Sequence, residues 1–398
     1  MSLLQDAHAL APALTELRHA LHREPELGLD LPLTQRRIVD ALEGLGLEIT
    51  LGRGLSSVTA VLRGGLPGPA VLLRGDMDGL PVQEDTGLPY ASELDGRMHA
   101  CGHDLHVTGL VGAARLLADR RAELAGDVVF MFQPGEEGQG GAKIMIEEGV
   151  LDAAGERVVA AYALHVVSTG APTGFAATRP GPMLAASDVV HVTVHGRGGH
   201  GSSPHLAADP VPAMCAMVTA FQTLVTRETD IFDPAVVTVG RIEAGTAPNV
   251  IPEEARFSAT VRTFSEAART TVRAAVERTV HGVAAAHGVT ASVEYVDQYP
   301  PTVNHAEDAA FALETARRIL GRDHAFEAPK PMAGAEDFSF VLREVPGAFV
   351  GLGACPPGVD ATTAPMNHSA QAVYDDGALP HAAALLAGLA LRRLGHDV

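Results

Sequence analysis

The sequence predicts an α/β protein: an α/β/α domain with a mixed sheet, interrupted by an inserted ferredoxin-like (βαββαβ) domain. Three observations predict it. Short, nearly wholly apolar runs (Ala70–Leu73, Asp127–Phe132, Val158–Leu164) alternate with helical patterns, as strands covered on both faces by helices do. Each of these runs leads directly into polar residues: Asp76 and Asp78 after the first, Glu136 and Glu137 after the second, His165 at the end of the third. From Ala185 to Tyr299 the pattern changes to half-exposed strands around two long helices.

In chain order, Leu10, Leu14, Leu17 and Leu21 recur at helical spacing and predict a helix over Leu3–Arg23, ended by Pro25 and Gly28. Thr34–Leu45 reads as a second helix closed by Gly44 and Gly46. Val58–Leu62 and Ala70–Leu73 read as strands, Leu105–Leu117 as an Ala- and Leu-rich helix, Asp127–Phe132 as a strand and Ala142–Glu148 as a short helix. After Val158–Leu164, residues Asp188–Val194 alternate valines with His191 and Thr193. The order strand, helix Asp209–Thr226, strands Ala235–Ile242 and Ala255–Thr263, helix Glu266–Ala286, strand Thr290–Tyr295 is β-α-β-β-α-β, a ferredoxin-like unit. Helix and strand then resume over Ala306–Leu320, Phe338–Leu342 and Ala348–Leu352, with a closing helix Leu379–Leu394. The expected division is 1–184 with 300–398 as one domain and 185–299 as the other.

Composition narrows the function. A net charge of −19 disfavours nucleic acid and anionic membranes as partners. Tryptophan is absent and aromatics are 4%, which leaves no stacking platform for single strands. Three cysteines, Cys101, Cys215 and Cys355, form no disulfide framework and fit a reducing cytoplasm. The first residues lack a basic region followed by an apolar one, so no signal peptide is expected. No apolar run is long enough to span a bilayer.

The stretch Met98-His99-Ala100-Cys101-Gly102-His103-Asp104-Leu105-His106 packs a thiol and three imidazoles between the acidic loop Gly75–Asp78 and the pair Glu136-Glu137. Such a set favours metal ligation over isolated core residues. If Cys101, His103, Glu137, His165 and a later histidine meet, they offer S, N and O ligands for two divalent ions. Two like charges about 3.5–4 Å apart need a bridging anion, and a thiolate can serve. A shared water then has a lowered pKa, and a carboxylate free of metal must carry its proton. Glu136 and Glu137 supply one residue for each task, unless the pair is only a solvated acidic turn. Asp78 and Asp76 can orient a ligand imidazole or merely cap a turn. Cys101 as a nucleophile with a histidine partner, and a non-catalytic metal-binding module, are the rival readings.

Six motifs in order resemble the M20 metallopeptidase family: Leu21-His22-Arg23-Glu24-Pro25-Glu26-Leu27-Gly28, Gly75–Pro81, Met98–Asp104, Gln133–Glu137, Gly198–His205 and Met366-Asn367-His368-Ser369. They look like its amidohydrolase branch, which includes hippurate hydrolases, N-acyl-amino-acid amidohydrolases and auxin-conjugate hydrolases. The resemblance covers nearly the whole chain. It implies a catalytic domain with a dinuclear centre, of manganese or zinc, with cobalt or nickel as substitutes. Cys101 takes the place of the bridging ligand. His103 and His165 complete one metal, and Glu137 and His368 the other. Glu136 matches the general base and Asp78 a supporting carboxylate. Asp76 stands where other branches have a histidine ligand, so His103 takes over that role.

The inserted domain resembles the family's lid and dimerisation domain. His200 matches the histidine that reaches a partner's site to stabilise the oxyanion. Asn249 and Arg262 match positions that hold a substrate carboxylate, a task suited to the planar Arg fork. Gly334 lies in a demanding loop beside the site. The resemblance implies a small N-acyl amino acid as substrate and a homodimer, or a tetramer, built through the lid. A dipeptidase or carboxypeptidase of the same family is the alternative.

Overall fold

A computed structural model describes residues 2–398. Helix α1 (Leu3–Arg23) starts on a capping box in which the Ser2 hydroxyl accepts from the Gln5 amide. Helix α2 (Pro32–Leu42) begins two residues before the expected Thr34, because Pro32 presets φ at the first turn. It ends before the expected Leu45, where positive-φ Gly44 and Gly46 turn the chain. Then come β1 (Glu48–Leu51), β2 (Val58–Leu62), β3 (Leu66–Asp76), α3 (His103–Ala118), β4 (Ala125–Gln133), α4 (Gly141–Glu147), β5 (Ala160–Pro172), β6 (Ala176–Thr178) and β7 (Gly181–Leu184). The middle of the chain forms β8 (Ser187–His195), β9 (Gly199–His200), α5 (Pro210–Glu228), β10 (Ala235–Ala244), β11 (Val250–Ile251), β12 (Glu254–Thr263), α6 (Glu266–Ala286), β13 (Thr290–Tyr299) and β14 (Thr302–Asn304). The chain closes with α7 (Ala306–Leu320), β15 (Ala325–Glu327), α8 (Phe338–Glu344), β16 (Gly347–Cys355) and α9 (Ala378–Arg393).

The chain falls into two compact units: residues up to Met183 with Val303–Lys330 and Asp337–Val398, and Leu184–Thr302 with Pro331–Glu336. The first unit holds an eight-stranded mixed sheet in the order β1-β2-β4-β3-β5-β16-β6-β15. Its centre, β4-β3-β5-β16, is parallel. The β1-β2 and β2-β4 pairs on one side and the β16-β6 pair on the other are antiparallel. The edge strands β1 and β15, and β6 next to β15, have only three or four residues each, too short to leave an alternation in the sequence. One expectation is corrected: His165 is not at the end of its strand. β5 runs on to Pro172 because β16 pairs with it in parallel as far as Cys355, with Gly351 opposite His165.

Helices α1, α3 and α9 share one core with the sheet. A Cβ on Gly109 or Gly112 of α3 would come within 2.8 and 2.7 Å of Ala382 and Ala383 Cβ on α9, so these helices approach at backbone distance. The second unit carries the antiparallel sheet β10-β12-β8-β13, with α5 and α6 burying Phe221, Val272 and Val276 against its inner valines. The order is that of a β-α-β-β-α-β unit. Among the described residues no helix is long and apolar enough to cross a membrane.

One buried ion network fixes the start of α3. Arg18 of α1 is fully buried and donates through Nε to Asp104 Oδ2 at 3.0 Å, and through Nη1 to the Tyr374 carbonyl at 2.9 Å. His22 Nδ1 meets the same Asp104 oxygen at 2.9 Å. Burial opposes charge on Asp104, yet Arg18 and then His22 hold its carboxyl well below the usual range. Removing one partner of a buried pair leaves the other uncompensated. Arg18→Met therefore lowers stability by about 3–5 kcal/mol in urea unfolding; a loss below about 1 kcal/mol would show that Asp104 does not depend on it.

Candidate metal centre

Asp78, two residues past the end of β3, organises two loops at once. Its backbone carbonyl accepts from His103 Nδ1 at 2.9 Å. Its carboxylate accepts the backbone amides of Glu136 (3.1 Å) and Glu137 (3.0 Å). The glutamate turn is tight because Gly135 has φ 72°, and a Cβ there would lie 2.4 Å from Leu29 Cδ2. Gly102 at the head of α3 has φ 83°, and a Cβ would lie 2.5 Å from Val166 Cγ2. Only glycine fits that turn, which lets Cys101 and His103 on either side of it serve one cluster.

The Cys101 sulfur is where the side chains meet. His165 donates Nδ1–H to the Val166 carbonyl at 2.8 Å, which leaves Nε2 facing Cys101 Sγ at 3.4 Å. His368 Nε2 lies 3.3 Å from the same sulfur and 3.2 Å from Glu137 Oε1. His103 Nε2 lies 3.9 Å from Glu137 Oε1. Two donor groups result, Cys101/His103/His165 and Cys101/Glu137/His368, each with its ligand atoms within 4.8 Å of one another. Glu136 forms a further group of that size with His103 and Glu137 and is buried.

The electrostatics fit a cation site. Burial alone would raise the Cys101 thiol, but His165 and then His103 hold it well below the ordinary range. Burial opposes charge on His165 and His103; the Cys101 thiolate lifts His165 to about 9, and Asp76 and then Cys101 hold His103 well above its usual value. Contact with Cys101, then with Glu137, lifts His368 to about 10. Burial raises the Glu137 carboxyl. Protons thus stand where cations would. His103 Nε2 is buried with no hydrogen-bond partner, an arrangement that is costly unless a ligand completes it, and the buried Glu137 Oε1 meets the His368 imidazole. A sulfur, three imidazole nitrogens and a carboxylate suit divalent cations.

Asp76 lies beside this centre and forms a further donor group with His103 and His106. One oxygen bonds His106 Nδ1, and the other meets Arg74 at 2.6 Å and lies 3.6 Å from His103 Nε2. His106 Nε2 in turn accepts from the Val166 amide at 2.8 Å, and burial pushes this imidazole down to about 4, so it is neutral and structural. Fully buried Arg74 also meets Asp337 at 3.0 Å and Gln133 at 2.8 Å. The sequence reading missed Arg74, Asp337 and Asn367. A charge directly after the apolar run Val71-Leu72-Leu73 was the signal for Arg74.

The remaining expected residues lie in the second unit, apart from those above, which lie in the first. His200 is exposed on β9, paired with Val250, and its Nδ1 meets Ser202 Oγ at 2.8 Å. The Asn249 carbonyl accepts from Gly201 at 2.8 Å, which places Asn249 beside His200. Arg262 near the end of β12 donates to Ser187 Oγ. The Gly334 carbonyl accepts from the Ala185 amide at 2.9 Å, two residues from that serine.

Residues 72–392 match the family model described as Peptidase family M20/M25/M40. The chain is 36% identical over 355 residues to thermostable carboxypeptidase 1 of Saccharolobus solfataricus, covering 88% of each. It is 38% identical over 386 residues to IAA-amino acid hydrolase ILR1-like 2 of Arabidopsis thaliana, covering 96% of this chain and 85% of that one. Among solved structures it is similar to the YXEP protein of Bacillus subtilis, described as a dinuclear metal binding peptidase from the M20 family. The TM-score is 0.84 and the identity 33%, over 98% of this chain and 100% of that one.

Metal uptake has to displace protons from His165 and His368, which are lifted to about 9 and about 10, and from His103, held well above its usual value. Affinity for a divalent cation therefore rises as pH climbs towards those values. Calorimetry of zinc binding near neutral pH, in buffers of differing ionisation enthalpy, should record about three protons released per chain. Uptake without proton release would contradict the charge distribution described.

Proposed function

The chain belongs to the M20/M25/M40 peptidase family, and from that premise we propose that it hydrolyses N-acylated amino acids to a carboxylic acid and a free amino acid. It is a metal-dependent hydrolase of amide bonds that uses divalent metal ions. The observation that carries the finer reading is the convergence of two donor groups on one sulfur, with the carboxylate of Glu136 beside them.

Cys101, His103, His165, Glu137 and His368 would hold two divalent ions, with Cys101 as the anion shared between the Cys101/His103/His165 and Cys101/Glu137/His368 groups. When bound, the ions would supply a lowered pKa for water and a Lewis acid for the amide oxygen. Glu136 would take the proton of the attacking water and pass it to the leaving nitrogen. Asp78 holds Glu136 for this task by binding its backbone amide at 3.1 Å, and it orients His103 through its carbonyl. His200 of a neighbouring subunit stabilises the oxyanion, Asn249 and Arg262 grip the substrate carboxylate, and the Gly334 loop borders the acyl group. The assembly is a homodimer, located in the cytoplasm. A thiolate favours zinc among the candidate metals, with manganese as the alternative.

Cys101 as a nucleophile is the weaker reading. A thiol nucleophile needs one base, whereas two histidines flank this sulfur and the Glu137 carboxylate lies in the same group. A carboxypeptidase activity is favoured by one observation, the name of the relative from Saccharolobus solfataricus. It shares the chemistry and differs in what carries the acyl carbon.

Glu136→Gln should cut kcat by about a hundred- to ten-thousand-fold with metal content unchanged by elemental analysis; normal turnover would remove Glu136 from the mechanism. Cys101→Ala should lose both metals, and full metal content would end its bridging role. A panel of acetyl, benzoyl and indole-acetyl amino acids and dipeptides, assayed with zinc and manganese, tests the substrate class. Cleavage of dipeptides alone would establish the peptidase instead.

A further inference from the structure

We propose that Asn367 is a positioning residue whose side-chain amide fixes the mutual placement of Cys101, His165 and His368. The inference rests on reading Cys101 as the thiolate ligand. Asn367 Nδ2 donates to the Val166 carbonyl at 3.0 Å and to the Cys101 carbonyl at 3.3 Å, and lies 3.8 Å from Cys101 Sγ. Its Oδ1 accepts from the Ser168 amide at 3.0 Å and lies 3.1 Å from the Ser168 hydroxyl, which also meets the Pro365 carbonyl at 2.8 Å. One amide thus uses both donors and its acceptor oxygen. It joins Cys101, the residue after His165, and the residue before His368, three positions far apart in sequence.

His368 makes this joint consequential. It has φ 73°, the single positive value among described non-glycine residues. Such a backbone costs about 1–3 kcal/mol and persists only where the surroundings over-determine it. The restraints are the His368 amide to the Ala100 carbonyl at 2.8 Å, the Ser369 amide to the Met366 carbonyl at 3.0 Å, and the Asn367 side chain. Without the amide, the easiest relaxation returns His368 to negative φ and carries Nε2 away from the sulfur. The Nδ2–H near Sγ also draws charge from the thiolate and so tunes its donation to a cation.

Cobalt(II) is a direct probe, because a thiolate ligand gives a near-ultraviolet charge-transfer band. Wild type, Asn367→Ala and Ser168→Ala are titrated with cobalt, and the metal is then withdrawn by a competing chelator. Asn367→Ala should bind cobalt about ten- to a hundred-fold more weakly and show a shifted or weakened band. Ser168→Ala keeps both Nδ2 donors and should stay close to wild type. An unchanged band and affinity in Asn367→Ala would overturn the proposal, as would an equal loss in both variants. If Asn367→Ala does not fold, Asn367→Asp carries the test, since it keeps the acceptor and loses both donors. No charge-transfer band in wild type would instead defeat the thiolate reading itself.

Discussion

Two cations cannot sit a few ångströms apart without negative charge between them. In the proposed centre that charge is the Cys101 sulfur, held well below the ordinary thiol pKa by His165 and then His103 against the cost of burial. The other features of the site follow from keeping one sulfur ionised and centred. Imidazoles must face it from two sides, a carboxylate must stand opposite, and a second carboxylate must remain close without joining the ligands. In the proposed mechanism neighbouring Glu136 and Glu137 divide those last tasks, and Asp78 clamps both of their amides.

The sheet turns that electrostatic demand into geometry. β3 and β4 run parallel and end side by side at Asp76 and Gln133, where open α/β sheets present ligand-binding loops. α3 starts within the site, so the Arg18–Asp104–His22 network that anchors its first turn also anchors His103. Below the centre, Arg74 neutralises Asp76 and Asp337. Asp76 in turn orients His106. Buried charge is costly, and here the Arg18–Asp104 and Arg74–Asp337 pairs join different segments, which ties the loops of the site to the core.

Much of this was legible in the sequence because the chemistry is concentrated. Cys101 and His103 flank a glycine, and the apolar runs leading to Asp76, Glu136 and His165 mark buried strands. The mixed sheet and the β-α-β-β-α-β order could be read from apolar spacing. The short strands β1, β6 and β15 could not, since three or four residues carry no periodicity. The extension of β5 beyond His165 was hidden for another reason: Ser168, Thr169 and Gly170 look like a loop, and only pairing with β16 makes them strand. Asn367 was overlooked because an asparagine before a histidine has no signature of its own. Its role arises from Val166 and Ser168, about two hundred positions earlier.

The claim that one thiolate is shared by two cations is open to direct measurement by X-ray absorption at the zinc edge of the fully loaded protein. The account predicts a sulfur scatterer at about 2.3 Å for each zinc and a zinc–zinc vector at about 3.5–4 Å. A spectrum with only nitrogen and oxygen neighbours, or with sulfur but no second metal, would contradict it.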